Sequence, residues 1–505
     1  MSAMSREILK LQNGSDIRGV AAEGVEGENV NLTAAEARKI GAAFAGWLSE
    51  KTGKKTSELK IGVGRDSRIT GPALVRGLTE GILGAGASVV DCGMATTPAM
   101  FMSVVFEQTK FDGSSMVTAS HLPFNRNGIK FFDADGGLEH EDITAVLESA
   151  ASMGGAEIPV EVNVPEFDLI SVYAEYLRGK ICGELADKSD RPLEGLHIVV
   201  DAGNGAGGFF AGKILAPLGA DVSGSQFLEP DGMFPNHIPN PENKAAMDSI
   251  RKAVLENKAD LGLIFDTDVD RMSAVLSDGV EVNRDSIIAM ISAIIAPSYP
   301  GSTIITDSVT SDRLTYFLEE ILGLEHLRYM RGYKNVINKC KELNSHGIIS
   351  PLAMETSGHG ALKDNYYLDD GAFLAVKLVV ALARAASAGR KLDSLIEKLP
   401  PLVEEGEYRF KINAENFKEY GQNVLHEFCA RAKEAGYTLP ESYEGVRISF
   451  DDGNLKGWIL LRMSLHDPVM PLNMESEKKG GLAELVKIAR KLTDGFELLD
   501  RSPLK

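Results

Sequence analysis

The sequence has 505 residues, too many for one hydrophobic core, so we expect roughly two to four domains. Its 72 acidic and 53 basic side chains give a formal net charge of −19. An acidic surface repels nucleic acid and anionic lipid, which excludes both as expected partners, although an anionic small molecule can bind where cations are concentrated locally.

The first part of the chain alternates predicted helices and strands. Thr33 and Glu36 have the spacing of a capping box, which predicts a helix over residues 33–52. A second helix is predicted from Pro72 and a third at PAMFMSVVFEQ. Around these helices lie three β-like runs, namely LKIGVGRDSR, ASVVDCG and SSMVTAS. The order βαβαβ predicts a sheet packed between helices.

The same rhythm returns twice before the texture of the sequence changes. LHIVVDAGNGAGG and LGLIFDTDVDR are predicted strands that end in loops, separated by a helix, a strand and a loop rich in proline and asparagine. A third block begins with STIITDSVTS and ends in GIISPLAMETSGHG. After Pro400 and Pro401, several predicted strands lie among helices near residues 414–435 and 480–495, with DDGN as a hairpin turn. The chain is therefore predicted to be α/β, with three related mixed α/β domains and a smaller C-terminal α+β domain.

Three aspartates follow one predicted buried strand, at positions 266, 268 and 270, and Arg271 comes next. Carboxylates at alternate positions repel one another unless a cation lies between them, and hard oxygen ligands suit Mg²⁺. The spacing does not fit an EF-hand, because Arg271 stands where that loop needs glycine. We therefore expect a magnesium site, while a nucleophilic Asp266 that accepts a phosphoryl group stays open as an alternative.

A glycine-rich turn follows another predicted strand, from Asp201 to Gly208. It matches the GxGxxG pattern of dinucleotide-binding proteins, and Asp221 lies near the position of a ribose-binding acid. The match falls in a chain with 51 glycines, so a tight turn between strand and helix is the simpler interpretation. The dinucleotide-binding interpretation stays open.

Ser120 and His121 stand side by side in VTASHLPFNRNGIKFF, and Lys130 follows in the same stretch. A Ser–His–Asp hydrolase needs an imidazole that faces the hydroxyl, whereas neighbouring residues at a strand end point apart. No GxSxG elbow surrounds Ser120 either. A serine that carries a phosphoryl group instead needs a divalent cation and nearby lysine or arginine side chains, and the sequence has candidates for both.

Cysteine usage and apolar runs indicate the compartment. The four cysteines are far apart, which argues against a disulfide framework or a structural zinc site and favours a reducing environment. The N-terminus lacks the apolar core of a signal peptide, and the longest apolar runs are short or interrupted by Lys377. We expect a cytoplasmic protein, a monomer or homodimer, without a membrane partner.

Six motifs, in order along nearly the whole chain, resemble those of the α-D-phosphohexomutase family, which includes phosphoglucomutases, phosphomannomutases and phosphoglucosamine mutases. They are SDIRGV, GRDSRITG, TASHLPFNRNGIK, DTDVDR, METSGHG and LRMSLHDPVMPLNMES. The resemblance implies a mutase that interconverts hexose 1-phosphate and hexose 6-phosphate, with glucose or mannose as the sugar. It implies a phosphoserine enzyme and a hexose 1,6-bisphosphate intermediate, with Mg²⁺ as cofactor, hexose 1,6-bisphosphate as activator and sugar phosphates as the partners.

The resemblance also implies four domains around a central cleft. Residues 1–175 would carry the phosphoserine loop and residues 176–284 the magnesium loop. Residues 285–402 would carry the sugar-binding loop, and residues 403–505 a phosphate-binding loop.

Roles for individual residues are implied in the same way. Ser120 would be the phosphorylated residue and Lys130 the general acid/base, with Arg18 and His121 beside the reacting groups. An oxygen of the phosphoserine at Ser120 would share the Mg²⁺ with three carboxylates, those of Asp266, Asp268 and Asp270. Glu355 and Ser357 would bond the 3- and 4-hydroxyls of the sugar. The full implied substrate-binding set is Arg271, Lys334, Glu355, Ser357, His359, Arg462, Ser464 and His466.

The last motif departs from the family pattern. Leu465 stands where glycine is usual and Pro471 where an arginine would fall, whereas Arg462 and Ser464 remain as phosphate donors and His466 could substitute as another. This favours a divergent branch, similar to the plant-plastid and bacterial mutase-like proteins. Three alternatives stay open: a hexose 1,6-bisphosphate synthase, a phosphoglucosamine mutase, and a catalytically weak sugar-phosphate-binding or regulatory protein on the same fold.

Overall fold

The computed structural model describes residues 7–154, 163–185, 189–451, 453–464 and 467–504. These residues form two compact units. The first unit holds the described residues up to Asn283 together with Ser357–Ser394, and the second holds Arg284–Thr356 and the described residues from Leu395 onward. None of the described helices combines the length and the apolar composition that a bilayer crossing requires.

The first unit begins with a seven-stranded sheet flanked by helices. Its elements are β1 (Gln12–Asn13), β2 (Asp16–Val20), α1 (Ala34–Thr52), β3 (Lys60–Arg65), α2 (Gly71–Gly84), β4 (Ser88–Met94), α3 (Thr97–Val105), β5 (Gly113–Val117), β6 (Arg126–Asp133), β7 (Gly136–Gly137) and α4 (His140–Ser152). The strand order is β1-β2-β6-β5-β3-β4, with β7 beside β6. Strands β4, β3 and β5 are parallel, so β3 and β5 open their carboxyl ends at the same edge. The loop after β5 carries Ser120.

Two local features of this region follow directly from the sequence. The predicted capping box is present, because the Thr33 side chain accepts from the backbone and Glu36 accepts from the Thr33 N–H. Helices α1 and α2 approach until their backbones touch, since a Cβ on Gly41 would lie 2.3 Å from the Leu78 carbonyl oxygen. Gly77 and Gly81 make the same kind of contact with α1 and its N-terminal residues.

The first unit continues with α5 (Leu169–Leu185), β8 (Ile198–Asp201), α6 (Lys244–Asn257), β9 (Leu261–Phe265), β10 (Met272–Leu276) and β11 (Glu281–Val282). The strands form a sheet in the order β11-β10-β9-β8, in which β8 and β9 are parallel. The strand expected between β8 and α6 is reduced to two isolated bridges, from His197 to Asp221 and from Asp201 to Gln226. Gly224 has φ +84°, which turns the chain out of an extended conformation between those bridges.

The second unit opens with α7 (Asp285–Ile295), β12 (Thr303–Thr306), α8 (Asp312–Tyr316), β13 (Glu325–Arg328), α9 (Tyr333–Ser345) and β14 (Leu352–Met354). Strand β12 runs parallel to both β13 and β14. The chain then returns to the first unit with β15 (Gly360–Leu362), β16 (Leu368–Asp369) and α10 (Gly371–Ser387). Strands β15 and β16 pair antiparallel, and α10 packs against α5.

The C-terminal part of the second unit is an antiparallel sheet with two helices. Its elements are β17 (Glu404–Ile412), α11 (Phe417–Glu434), β18 (Val446–Asp451), β19 (Lys456–Leu461), β20 (Val469–Ser476), α12 (Gly481–Leu492) and β21 (Leu499–Asp500). The strand order is β18-β19-β20-β17-β21, over a core that includes Phe410, Phe428 and Ile459. The predicted class is confirmed: mixed α/β regions are followed by a smaller α+β region. The four domain boundaries stay a prediction.

Candidate active site

Ser120 lies in the loop that joins β5 to β6, and it is 4% exposed. Its φ is +50°, in the left-handed region that residues with a Cβ rarely adopt. The Ser120 hydroxyl lies 3.0 Å from Asp266 Oδ2, to which it donates, and Arg271 Nη2 donates to the Ser120 oxygen at 3.2 Å. The carboxylate accepts the proton of this hydroxyl in a hydrogen bond, and the guanidinium can stabilise negative charge that develops on its oxygen.

His121 is positioned differently from what neighbouring strand residues would predict. Its Nδ1 lies 3.3 Å from the Ser120 hydroxyl, because the left-handed backbone at Ser120 brings both side chains to one side. The Nδ1 lone pair accepts from Arg271 Nη2 at 2.7 Å. Burial, together with the charges of Arg271 and Arg18, lowers the pKa of His121 to about 3. Because the Nδ1 lone pair that faces Ser120 already accepts from Arg271, His121 is not placed to take the serine proton, and the hydrolase interpretation of Ser120 is not supported.

The three aspartates predicted to hold a cation lie together. β9 is buried throughout and ends immediately before Asp266, so the turn that follows delivers the carboxylates to one point. One ligand atom from each of Asp266, Asp268 and Asp270 lies within 4.8 Å of the others. Within the described part of the chain, no hydrogen bond reaches the buried atoms Asp268 Oδ1 or Asp270 Oδ1. Buried carboxylate oxygens that receive no hydrogen bond are suitable ligands for a Mg²⁺ ion, so the residues fit this metal.

Burial and neighbouring charges shift the pKa values of Asp266 and Asp270 in opposite directions. Burial, reinforced by the charges of Asp270 and Asp268, raises the pKa of Asp266 well above its usual range. Burial alone would also raise the pKa of Asp270, but Lys130 and Arg271 outweigh it and the pKa is lowered. Lys130 Nζ donates to Asp270 Oδ2 at 2.5 Å and lies 3.6 Å from Asp268 Oδ2. Lys130 therefore supplies positive charge within the triad itself.

Asp266 does not fit the alternative role of a phosphoryl acceptor. The side chain is fully buried, Oδ2 accepts from Ser120, and Oδ1 accepts from the Arg271 backbone N–H at 3.2 Å. Both oxygens are thus engaged by neighbours in the site. The geometry favours the carboxylate as a partner of Ser120.

Besides Lys130, two arginines of the first unit, Arg18 and Arg271, lie near Ser120. Arg18, on β2, pairs with Asp16 at 2.8 Å and donates to the Thr118 carbonyl oxygen at 2.7 Å, close to Ser120. Arg271 Nε donates to His359 Nε2 at 3.2 Å. Since His359 Nε2 accepts, its Nδ1 carries the proton and donates to the Ser357 hydroxyl at 2.9 Å. Burial and the charge of Arg271 lower the pKa of His359, which keeps this imidazole neutral.

The remaining predicted substrate-binding residues belong to the second unit. Lys334 lies in the first turn of α9, and the buried Glu355 accepts from the Gly332 backbone N–H at 2.7 Å. Arg462 is 8% exposed and donates to Glu444 at 3.4 Å. Ser464 accepts from the Asp467 backbone N–H at 3.3 Å. His466 and Leu465 lie outside the described residues.

The glycine-rich turn after β8 has a packing explanation. A Cβ on Gly205 would lie 2.6 Å from the Thr267 carbonyl oxygen, within the acidic loop, and one on Gly208 would lie 2.2 Å from the Leu228 carbonyl oxygen. Asp201 accepts from the Gly203 backbone N–H and from His237, so its carboxylate is used within the turn. These glycines allow close approach of backbones, and the dinucleotide-binding interpretation is not supported.

Sequence reasoning missed one residue at the triad, Thr97. Its backbone N–H donates to the Asp268 carbonyl oxygen at 2.9 Å, and its hydroxyl donates to the Asp268 carboxylate. The two residues are separated by 171 positions, so no local pattern joins them. The available signal was the Thr–Thr–Pro stretch at the start of a predicted helix, which marks a helix N-terminus close to a strand end.

The amino-acid sequence is similar to those of a known protein family. Three sequence profiles match consecutive parts of the chain: phosphoglucomutase/phosphomannomutase alpha/beta/alpha domain I at residues 9–154, domain II at 172–279 and domain III at 283–403. The phosphoglucomutase of Neisseria gonorrhoeae is 29% identical, with 96% of each chain covered. The phosphoglucomutase/phosphomannomutase of Thermococcus kodakarensis is 30% identical, covering 96% of this chain and 98% of its own.

A solved structure agrees in fold over almost the same length. The crystal structure of a phosphoglucomutase/phosphomannomutase family protein from Burkholderia thailandensis has a TM-score of 0.77 and 28% sequence identity, and the match covers 98% of each chain. Fold and relatives together define an enzyme of the phosphohexomutase class, an isomerase that works as an intramolecular phosphotransferase. The chain belongs to the phosphoglucomutase/phosphomannomutase family.

Proposed function

We propose that the enzyme interconverts hexose 1-phosphate and hexose 6-phosphate, with glucose or mannose as the sugar, through a phosphoserine at Ser120 and a hexose 1,6-bisphosphate intermediate. The observation that carries the proposal is the contact of the Ser120 hydroxyl with Asp266 at 3.0 Å, inside a buried triad of carboxylates. Binding alone requires no such hydroxyl, which argues against the alternative of a sugar-phosphate-binding protein without activity.

The chain's own residues account for the two half-reactions. In the first, a sugar hydroxyl attacks the phosphorus on Ser120, the bond from phosphorus to Oγ breaks, and Lys130 takes the proton of the attacking hydroxyl. In the second, the intermediate is bound the other way round. Ser120 Oγ attacks the other phosphorus, the bond from that phosphorus to the sugar oxygen breaks, and Lys130 returns its proton to that oxygen. Arg271, which donates to Ser120 Oγ, would stabilise the charge that develops there, and Arg18 and His121 would lie beside the reacting groups.

Members of the family use a metal ion, and Mg²⁺ would be held here by the Asp266, Asp268 and Asp270 carboxylates with an oxygen on Ser120. When bound, the ion supplies positive charge that neutralises the phosphoryl group in transfer. Hexose 1,6-bisphosphate would serve as activator, because it places a phosphoryl group on an unmodified Ser120.

Hydrogen-bond polarity indicates how the sugar would be read. Ser357 accepts from His359, so its own proton is available to donate to a sugar oxygen. Glu355, an acceptor when ionised, would take a hydrogen bond from a neighbouring sugar hydroxyl. Lys334, Arg462, Ser464 and His466 would contact the phosphate that is not being transferred.

A phosphorus NMR experiment tests this function. Purified protein is mixed with Mg²⁺, a trace of glucose 1,6-bisphosphate, and either glucose 1-phosphate or mannose 1-phosphate. We expect growth of the hexose 6-phosphate signal with the wild type and none with Ser120→Ala. The matched control is Ser115→Ala, since Ser115 is another buried serine, in β5, whose hydroxyl donates to the Gly62 carbonyl oxygen at 3.4 Å.

The intact mass of the protein after treatment with glucose 1,6-bisphosphate tests whether Ser120 is phosphorylated, independently of which sugar the enzyme prefers. A gain of one phosphoryl group with the wild type and with Ser115→Ala, but not with Ser120→Ala, supports the phosphoserine. A wild type that never gains this mass at Ser120 contradicts the proposal whatever the sugar.

A second candidate is a hexose 1,6-bisphosphate synthase, and Pro471 favours it. This residue lies within β20, opposite Arg409 of β17, where relatives of the resembled family would present an arginine to phosphate. With one phosphate clamp missing, the bisphosphate would be released before it turns over. Accumulation of bisphosphate from monophosphate and an external phosphoryl donor, without 6-phosphate product, would identify this activity.

A further inference from the structure

Arg68, in the loop after β3, is enclosed by the chain around Ser120. Its side chain is fully buried, and the hydrogen bonds of its Nη atoms end on backbone oxygens of that loop. Nη1 donates to the carbonyl oxygens of Pro123 at 2.8 Å and Arg126 at 3.0 Å. Nη2 donates to the carbonyl oxygens of Leu122 at 2.7 Å and of Ser120 itself.

Four carbonyl oxygens that converge on one point are unfavourable without a cation, because their dipoles oppose one another. A guanidinium satisfies them together, since it has five N–H donors in a fixed fork and stays protonated. Hydrogen bonds from a charged donor are stronger than those between neutral groups, so the set is strong enough to determine the path of a loop. The loop from Ser120 to Arg126 is thus folded around Arg68.

The backbone N–H of Ser120 is held as well, through Thr118 and Asp66, which together with Arg68 form one buried cluster. The Ser120 backbone N–H donates to Thr118 Oγ1 at 2.9 Å, and the Thr118 hydroxyl donates to Asp66 Oδ2 at 2.7 Å. Asp66 in turn accepts from the Arg68 backbone N–H at 3.0 Å and lies 3.3 Å from Arg68 Nε. Both backbone polar groups of Ser120 are therefore held by one ion pair, either directly or through Thr118.

This restraint explains how Ser120 keeps its conformation. A left-handed φ is unfavourable for a residue with a Cβ and persists only where the surroundings impose it. Without the restraint, the loop would relax and Oγ would leave its position 3.0 Å from Asp266.

A loop of the neighbouring sheet region closes the cluster. Phe234 places its ring 5.2 Å from Arg68 Cζ. Gly232 lies so close that a Cβ there would be 2.5 Å from the Ser67 carbonyl oxygen and 2.5 Å from the Ile69 nitrogen. Water does not compete for the guanidinium, because the side chain is fully buried and the aromatic ring lies over it.

We infer that Arg68, with Asp66 and Thr118, is a positioning residue for phosphoryl transfer: it fixes the backbone of Ser120 so that the hydroxyl faces Asp266. The inference rests on the proposed function, since it assigns the cluster to the serine that would carry the phosphoryl group. Arg68 does not touch the reacting atoms, so it affects the rate of transfer and leaves substrate affinity nearly unchanged.

The test uses the full-length protein with Arg68→Lys and Thr118→Val, and Thr118→Ser as the conservative variant. Lysine keeps the charge but lacks the fork, and valine keeps the shape but removes the hydroxyl. A stability control is Val146→Ala, in the buried core of the same sheet region. We measure amide hydrogen exchange of residues 118–126 and the steady-state constants for hexose 1-phosphate.

We expect Arg68→Lys and Thr118→Val to raise exchange of the Ser120 amide about tenfold or more and to lower kcat roughly 10–100-fold with KM nearly unchanged. Thr118→Ser should keep the wild-type exchange rate and the wild-type kcat, whereas Val146→Ala should lower the melting temperature without changing either quantity. Unaltered exchange in the loop overturns the inference, as does faster exchange with wild-type kcat. If the wild type is never phosphorylated at Ser120, the proposed function fails, and the exchange measurement still decides whether the cluster holds the loop.

Discussion

At the residue scale, the position of Lys130 bears both on the binding of a metal ion and on the proposed transfer of protons. Its Nζ is 2.5 Å from Asp270 and 3.6 Å from Asp268, so it occupies the same carboxylate field in which Mg²⁺ would bind. The lysine and a bound Mg²⁺ would therefore repel each other, and in the proposed reaction the lysine would also carry protons.

The first prediction concerns Lys130→Met. Removal of the proton carrier should lower kcat about 10²–10⁴-fold. Affinity for Mg²⁺ should rise at the same time, by on the order of tenfold, because a unit charge at about 4 Å contributes roughly 1–4 kcal/mol between bulk and surface dielectric. Calorimetric titration with Mg²⁺ measures the second effect.

Lys130→Arg is the matched control for charge. It should keep the wild-type affinity for Mg²⁺ and still lose most of the turnover, since arginine does not release its proton. Weaker Mg²⁺ binding by the methionine variant would contradict this account of the charges.

Residues of the site differ in how visible they are in the sequence. The three aspartates were predictable because they alternate directly after a buried strand. The approach of His121 to Ser120 was not, since it depends on the left-handed φ of Ser120, which no side-chain pattern encodes. Thr97 was missed because its contact with Asp268 joins positions that only the tertiary fold brings together.

At the scale of elements, α1 and α2 are held by backbone contact. Gly41, Gly77 and Gly81 allow the helices to touch, whereas a Cβ on Gly46, also in α1, would meet no described atom within 4 Å. Replacement of these two glycines of one helix by alanine should therefore change the stability of the protein in opposite directions.

The second prediction uses this pair. Gly41→Ala should destabilise the protein by about 1–3 kcal/mol, because the new methyl group would meet the Leu78 carbonyl oxygen. Gly46→Ala should stabilise it by up to about 1 kcal/mol through helix propensity. Urea unfolding of both variants against the wild type measures the difference, and a loss of stability in Gly46→Ala would contradict open space around this helix position.

Elements were predictable where the signal is local. The capping box of α1 was found because Thr33 and Glu36 are three residues apart. The strand expected between β8 and α6 failed because Gly224 adopts a left-handed turn that its neighbours in sequence do not require. Local chemistry specifies helix ends well, but a strand also needs a partner that the local sequence does not contain.

On the scale of the whole molecule, stability should depend on pH through Asp370. This carboxyl caps α10 and accepts from Tyr173 at 2.6 Å and from Asn365 at 2.8 Å. Burial raises its pKa from 3.8 to about 6. The folded protein therefore holds this proton to a higher pH than the unfolded chain does, so the group's contribution to stability is lost as pH rises from about 4 to about 6.

The third prediction follows from that sign. The free energy of unfolding of the wild type minus that of Asp370→Asn should fall between pH 4 and pH 6, by on the order of 3 kcal/mol, and stay level above pH 7. Denaturant unfolding at pH 4.5, 5.5 and 7.5 gives the difference, in which the other titrating groups cancel. A difference that rises with pH over this window would refute the assignment.

The distance along the chain between Ser120 and its carboxylate partner has a consequence for the time course of synthesis. The two residues are 146 positions apart, whereas Asp66, Arg68 and Thr118 all precede Ser120. At about 5–20 residues per second, the ribosome needs roughly 7–30 s to travel from the serine to Asp266. During that interval the nascent chain already contains the loop and its arginine, but it has no carboxylates to receive the hydroxyl. Under the proposed function, a newly made molecule would therefore gain its serine loop first and the carboxylate partner of that serine only later, and the later step would set the earliest moment at which Ser120 could be phosphorylated.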